Sequence, residues 1–211
     1  MMPARFPGAA QFVPQHPSLG VLRDAVQLCR GCDLYLHATQ AVLGEGPRQA
    51  DLILVGEQPG NEEDLQGRPF VGPAGHLLDR ALAEAGIDRA RVYVTNAVKH
   101  FKFEERGKRR IHKKPSLGEV RACEPWLQAE IALIHSAVIG CLGATAAQAL
   151  LGNAFRLTQD RGRPIAVPSF GLVVATIHPS AILRAPDADQ RHAEHRRFVS
   201  DLRVIRQLLA R

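Results

Sequence analysis

A chain of 211 residues, 45% hydrophobic and 23% charged, is long enough to bury a full core and reads as one domain over residues 1–211, with residues 1–17 expected to be poorly ordered. The opening MMPARFPGAAQFVP lacks a continuous apolar stretch, and the run from Ala137 to Leu151 is too short and Gly-rich to cross a bilayer; a membrane role is excluded and the cytoplasm is the expected compartment. The net charge of +6 is concentrated between Lys99 and Lys114, where eight Lys/Arg face only Glu104 and Glu105, a patch that suits phosphate contacts with nucleic acid, although a solvated loop has the same composition.

A first helix is expected from Leu19 to about Leu28, just before Cys29. The apolar runs Leu52 to Val55, Val92 to Thr95, Val138 to Leu142 and Leu172 to Ile177 are short, rich in branched residues and closed by Gly, Asn or His-Pro, as buried parallel strands are. Between the first two, Ala74, Leu77, Leu78, Ala81, Leu82 and Ala85 keep helical spacing, and Gly86 is placed to end that helix. Ser116 and Glu119 form a capping box opening a helix towards Ile134, which Pro125 is expected to kink or divide. Gly143 to Leu151 and Asp189 to Leu209 supply two more helices, the last with Phe198, Leu202, Ile205 and Leu209 on one stripe.

This alternation predicts an α/β fold, a three-layer sandwich with a central, mostly parallel sheet. Ligands of such sheets bind beyond the carboxyl ends of the strands. That rule selects GEQPG (residues 56–60), Asn96, Gly143 and His178-Pro179-Ser180.

Four cysteines remain, with Cys29 and Cys32 in a C-x-x-C pair and Cys123 and Cys141 far apart in a helix and a strand. Buried free thiols, a redox pair, zinc and an iron–sulfur cluster compete for them, and the lack of a second close pair argues against a zinc ribbon. Disulfides are not expected in a cytosolic protein.

The stretch GEQPGNEEDLQGRPFVGPAGHLLDRAL, then VYVTNAVKHFKF and IHPSAILR, resembles the iron–sulfur (family 4) uracil-DNA glycosylases over residues from about Cys29 to Arg184. The resemblance implies a [4Fe–4S] cluster on Cys29, Cys32, Cys123 and Cys141, and a monomer acting on uracil-containing DNA, single-stranded in preference. Gln58, and the basic loop GKRRIH of residues 107–112, depart from the hydrolytic members and look like UdgX, a subgroup that becomes covalently attached to uracil-containing DNA through a loop histidine.

On that reading the site residues take distinct tasks. Phe70 is suited to stack on a uracil swung out of the strand, although a core aromatic fits the same pattern. The Asn96 amide can tell uracil from cytosine, whose exocyclic groups have reversed polarity, and Gly56 and Gln58 belong to the base pocket. His178 would donate to the uracil carbonyl as negative charge develops. His112 is the nucleophile, with Glu57 orienting it or taking its proton. Lys108, Arg109, Arg110, Lys113, Ser180 and Arg184 are expected to hold DNA, the loop cations also keeping His112 uncharged. His192 and His195 read as solvated helix faces. Two other readings compete: a multiple-turnover hydrolytic glycosylase whose basic loop only grips phosphate, and a non-catalytic DNA-binding module with structural zinc.

Overall fold

The computed structural model describes residues 6–210. In chain order they form α1 (Leu19–Val26), β1 (Leu52–Gly56), α2 (Asn61–Gln66), α3 (Pro73–Ala85), β2 (Val92–Asn96), β3 (Phe103–Arg106), β4 (Arg109–His112) and α4 (Leu117–Ile134). Then follow β5 (Val138–Leu142), α5 (Ala144–Leu151), α6 (Leu157–Asp160), β6 (Pro164–Val167), β7 (Gly171–Thr176), α7 (Pro179–Leu183) and α8 (Ala188–Leu209). The main sheet has the order β2-β1-β5-β7-β6, and only the β6–β7 pairing is antiparallel.

The branched residues of β1, β2 and β5 are buried along their whole length, so each strand needs cover on both faces. One face packs Leu52, Leu54 and Val94 against Leu78 and Leu82 of α3 and Phe198 and Leu202 of α8. The other packs Ile53, Val55 and Ile139 against Leu127 and Ile131 of α4 and Ala146 and Ala147 of α5. A third cluster joins Leu22 and Val26 of α1 to Val120 and Trp126 of α4.

Within α4, Pro125 does not divide the helix. Cys123, Trp126, Leu127 and Glu130 on its buried face are held by neighbours on two sides, which offsets the lost backbone hydrogen bond, a cost of about 3 kcal/mol. The N-terminal segment is seated rather than loose over its described part. Phe6 and Ala9 are buried, Gly8 N–H donates to the Gly31 carbonyl (3.0 Å) and Ala9 N–H to that of Ala122 (2.8 Å). Residues 1–5 of the expected loose segment lie outside the described residues.

Two features position the functional end of the sheet. The crossovers run outward in opposite directions from β1 and β5, so a crevice opens at their carboxyl ends. The basic loop is an ordered antiparallel hairpin, β3–β4, with Gly107 at φ +60° in its turn and His112 paired with Phe103 at its base.

Candidate functional site

A cavity of about 610 Å³ occupies that crevice, and the ends of β1, β2, β5 and β7 all contribute to it through Glu57, Asn96, Gly143 and His178. Gly56 pairs with Asn96 across the sheet, and a side chain there would lie 2.3 Å from Asn96 Oδ1 and 2.8 Å from Phe70 Cζ. Only glycine lets the amide and the ring meet over β1. Phe70 itself adopts φ +57°, a left-handed conformation that costs a non-glycine residue about 1–3 kcal/mol. Gly75 permits it, because a Cβ there would stand 1.7 Å from the Phe70 carbonyl oxygen. The Asn96 side chain is buried and makes no hydrogen bond among the described residues, which leaves its donor and acceptor for whatever fills the cavity.

His178 caps the short α7. Ser180 N–H donates to His178 Nδ1 (3.2 Å), and the Ser180 hydroxyl lies 2.8 Å from the same nitrogen. A ring that accepts at Nδ1 carries its proton on Nε2. Burial, with lesser contributions from Arg184 and His112, pushes the His178 pKa down to about 4, so the ring is a neutral donor. Its plane lies 28° from that of Phe70, the centroids 6.2 Å apart. Gly143 makes room beside it, as a Cβ there would be 3.3 Å from His178 Cβ.

The hairpin brings His112 to the mouth of the cavity by two attachments. Asp64 is fully buried and receives Arg110 Nη1 (2.6 Å), while Arg110 Nε donates to Asn61 Oδ1 (2.8 Å) and its guanidinium lies over the stacked Phe101 and Phe103 rings. Gln58 fastens the hairpin base: its Oε1 accepts from Lys102 N–H, and its Nε2 donates to the Lys102 and Lys113 carbonyls. These partners fix which end of the amide is NH₂. The same Nε2 lies 2.9 Å from His112 Nε2; when the imidazole accepts there it carries its proton on Nδ1, and the two amide hydrogens are shared among three acceptors.

Glu57 faces this imidazole, Oε1 standing 3.7 Å from His112 Nε2, and its other oxygen accepts the Thr145 hydroxyl proton. The His112 pKa is lowered by burial first and by Arg184 second, against the raising effect of Glu57. The loop cations expected to keep this ring neutral are not among the causes.

A profile described as the uracil DNA glycosylase superfamily matches residues 43–203 of this chain. A Type-4 uracil-DNA glycosylase of Thermotoga maritima is 40% identical over 180 residues, 85% of this chain and 88% of that protein. One from Archaeoglobus fulgidus is 35% identical over 193 residues (88% and 93%), and one from Pyrobaculum aerophilum 36% identical over 172 residues (78% and 84%). The chain belongs to the uracil-DNA glycosylase superfamily.

In this superfamily member the expected four-cysteine set is not assembled. Cys29, Cys32 and Cys123 line one small cavity, and the fourth potential ligand on its wall is His100. Cys141 points from β5 into the core against α4 and α5, with burial alone pushing its thiol up to about 12. It was expected as a ligand because it completes the count, but its strand directs it away from the other three. No group of three or more His, Cys, Asp or Glu among the described residues is arranged to hold a single ion. A cluster spreads its ligands around a larger body, so the three thiols and the imidazole fit it. Trp126 Nε1–H points at Cys29 Sγ (3.2 Å) and Lys99 N–H at Cys123 Sγ (3.3 Å), donors suited to thiolate sulfur. Burial otherwise holds Cys32 and Cys123 as thiols, raising them to about 11 and about 12. A histidine just beyond β2 was the available signal for His100, but spacing could not show which wall it joins.

The basic stretch also divides. Lys99 is fully buried against Glu130, which accepts further from Gly44 N–H, Tyr93 and Thr95. Arg110 is consumed by Asp64, so it is no free phosphate ligand, and Lys102, Arg106 and Lys113 pair with Glu119, Glu104 and Glu104. Lys108, Arg109 and Lys114 are exposed without an ion-pair partner among the described residues, and Arg184 likewise lines the cavity. Ser180 serves His178 and borders the cavity. Both His192 and His195 lie on α8, His195 3.7 Å from Glu84.

The His178 tautomer has a direct readout. Because its pKa is depressed, the neutral ring persists far below the ordinary imidazole value of about 6.5. Ring ¹⁵N NMR should show an unprotonated Nδ1, a protonated Nε2 and a midpoint near pH 4; a midpoint near 6.5, or the opposite tautomer, contradicts this geometry.

Proposed function

We propose that this chain excises uracil from DNA and is then held on the resulting abasic sugar by His112, in the manner of the UdgX subgroup. The observation that carries the reading is the His112 imidazole at the cavity mouth, its Nε2 2.9 Å from Gln58 Nε2 and 3.7 Å from Glu57 Oε1. A uracil turned into the cavity stacks on Phe70, and Asn96 pairs with its polar edge. His178 donates from Nε2 to a uracil carbonyl oxygen. As the glycosidic bond breaks, its electron pair leaves on uracil, and this donor stabilises the anion in a site of low polarity.

The cationic sugar is captured by the His112 Nε2 lone pair, which gives up its Gln58 contact as it does so. The Nε2–C1′ bond forms, positive charge passes to the imidazolium, and Glu57 lies close enough to balance it. Thr145 fixes the carboxylate for this task, while Gln58 fixes the imidazole. The Nδ1 proton is then lost to solvent. Replacing His112 with Ala should abolish the heat-stable protein–DNA band on denaturing gels. Uracil release should stay within roughly a hundredfold of the parent rate, because the groups that break the bond remain. An undiminished band refutes the role of His112.

A [4Fe–4S] cluster is proposed on Cys29, Cys32, Cys123 and His100, where it would tie the segment after α1 to α4 and to the segment after β2. Iron analysis with visible absorbance tests the ligand set. Cys141→Ser should keep the full iron content, whereas His100→Ala and Cys123→Ala should lose iron; loss in Cys141→Ser alone would restore the four-cysteine set.

A further inference from the structure

Next to the uracil cleft lies a second cavity, of about 410 Å³, between the first turns of α4 and the end of α5. The partition is thin. Lys114 lines both spaces, and Thr145, on the wall of the second, hydrogen-bonds Glu57 in the first.

Its surface has two kinds of chemistry. Leu117, Val120 and Ala149 give it an apolar floor, while Lys114 and Arg121 supply positive charge. Neither cation has a side-chain hydrogen bond or ion pair among the described residues, whereas Lys102, Arg106, Arg110 and Lys113 are all matched to carboxylates. Two free cations in a cavity with apolar lining suit a base and its phosphate. Glu124 is the one acid on the wall; it accepts from Gln128 Nε2 (2.8 Å), and its charge disfavours a phosphate at that end.

The geometry points to this cavity as the seat of a nucleotide adjoining the deoxyuridine in single-stranded DNA, its base on the apolar floor and its phosphate between Lys114 and Arg121. The inference rests on the proposed function, since it takes the strand to enter through the uracil cleft. Arg184 and Ser180 line that cleft with Lys114, so a strand can run from them across Lys114 into the second cavity. Gln148 Nε2 is spent on the Phe155 carbonyl, which leaves the Asn153 amide on the same wall as the group placed to meet a base edge. A paired neighbour is stacked in its duplex and must be pulled out to enter, so the seat favours a single strand.

Binding of the whole chain to a labelled single-stranded oligonucleotide tests this by fluorescence anisotropy. The oligonucleotide carries 2′-fluoro-arabinouridine, whose glycosidic bond resists cleavage, with either natural neighbours or a tetrahydrofuran spacer immediately 5′ or 3′. On one side the spacer should weaken binding about tenfold. In Ala149→Phe, which fills the cavity, and in Leu117→Ala, which thins its floor, that penalty should shrink; Arg121→Ala should reduce the salt dependence by about one counterion. A spacer that costs nothing on either side, or an undiminished penalty in both cavity variants, overturns the seat. Failure to prefer the uridine analogue over thymidine overturns the proposed function instead, a result distinct from tight binding with a silent spacer.

Discussion

Asp64 is a carboxylate shut off from water, and the cation that neutralises it, Arg110, is carried on β4 two residues before His112. An unpaired charge in that position costs several kcal/mol, so the hairpin is drawn onto α2 rather than left in solvent. Phe101 and Phe103 hold the guanidinium flat, and Gln58 closes the hairpin base against the turn after β1. The imidazole therefore arrives at the cavity mouth already oriented. Its geometry is inherited from an ion pair outside the cavity lining.

The sheet provides the other half of the arrangement. Four parallel strands end at one level, and the change of crossover direction between β1 and β5 leaves a crevice there. Three groups around the crevice are held by a neighbour: Glu57 by Thr145, His178 by Ser180, Phe70 by the gap that Gly75 leaves. A rigid donor such as His178 need not reorganise when charge develops beside it. Lys99 extends the same logic inward, its ammonium bridging Glu130 to the Asn96 carbonyl while its backbone N–H meets Cys123. One residue thus connects the cavity wall at Asn96 to the cysteine site.

Much of this was legible because local chemistry decides it. Ser116 and Glu119 do cap α4, Gly86 does end α3, and the branched runs are the parallel strands within a residue or two. The positions beyond the strand ends correctly marked the cavity, since they follow from topology alone. What failed depends on partners distant in sequence. Arg110 looks like its neighbour Arg109 until Asp64, 46 residues earlier, claims it, and Lys99 looks exposed until Glu130 buries it. Cys141 was grouped with the other cysteines by number, yet a strand's alternation sends its side chain into a different core, and His100 takes the remaining wall.

Capture by His112 requires a bond between one ring nitrogen and one sugar carbon. Mass spectrometry of tryptic peptides, taken after the protein has reacted with a single-stranded oligonucleotide containing deoxyuridine, reads that bond directly. An abasic deoxyribose is expected on the peptide containing His112, fragmentation placing it on that imidazole, with free uracil in equal amount. Uracil released with the His112 peptide unmodified, or the sugar found on another residue, would contradict capture by His112.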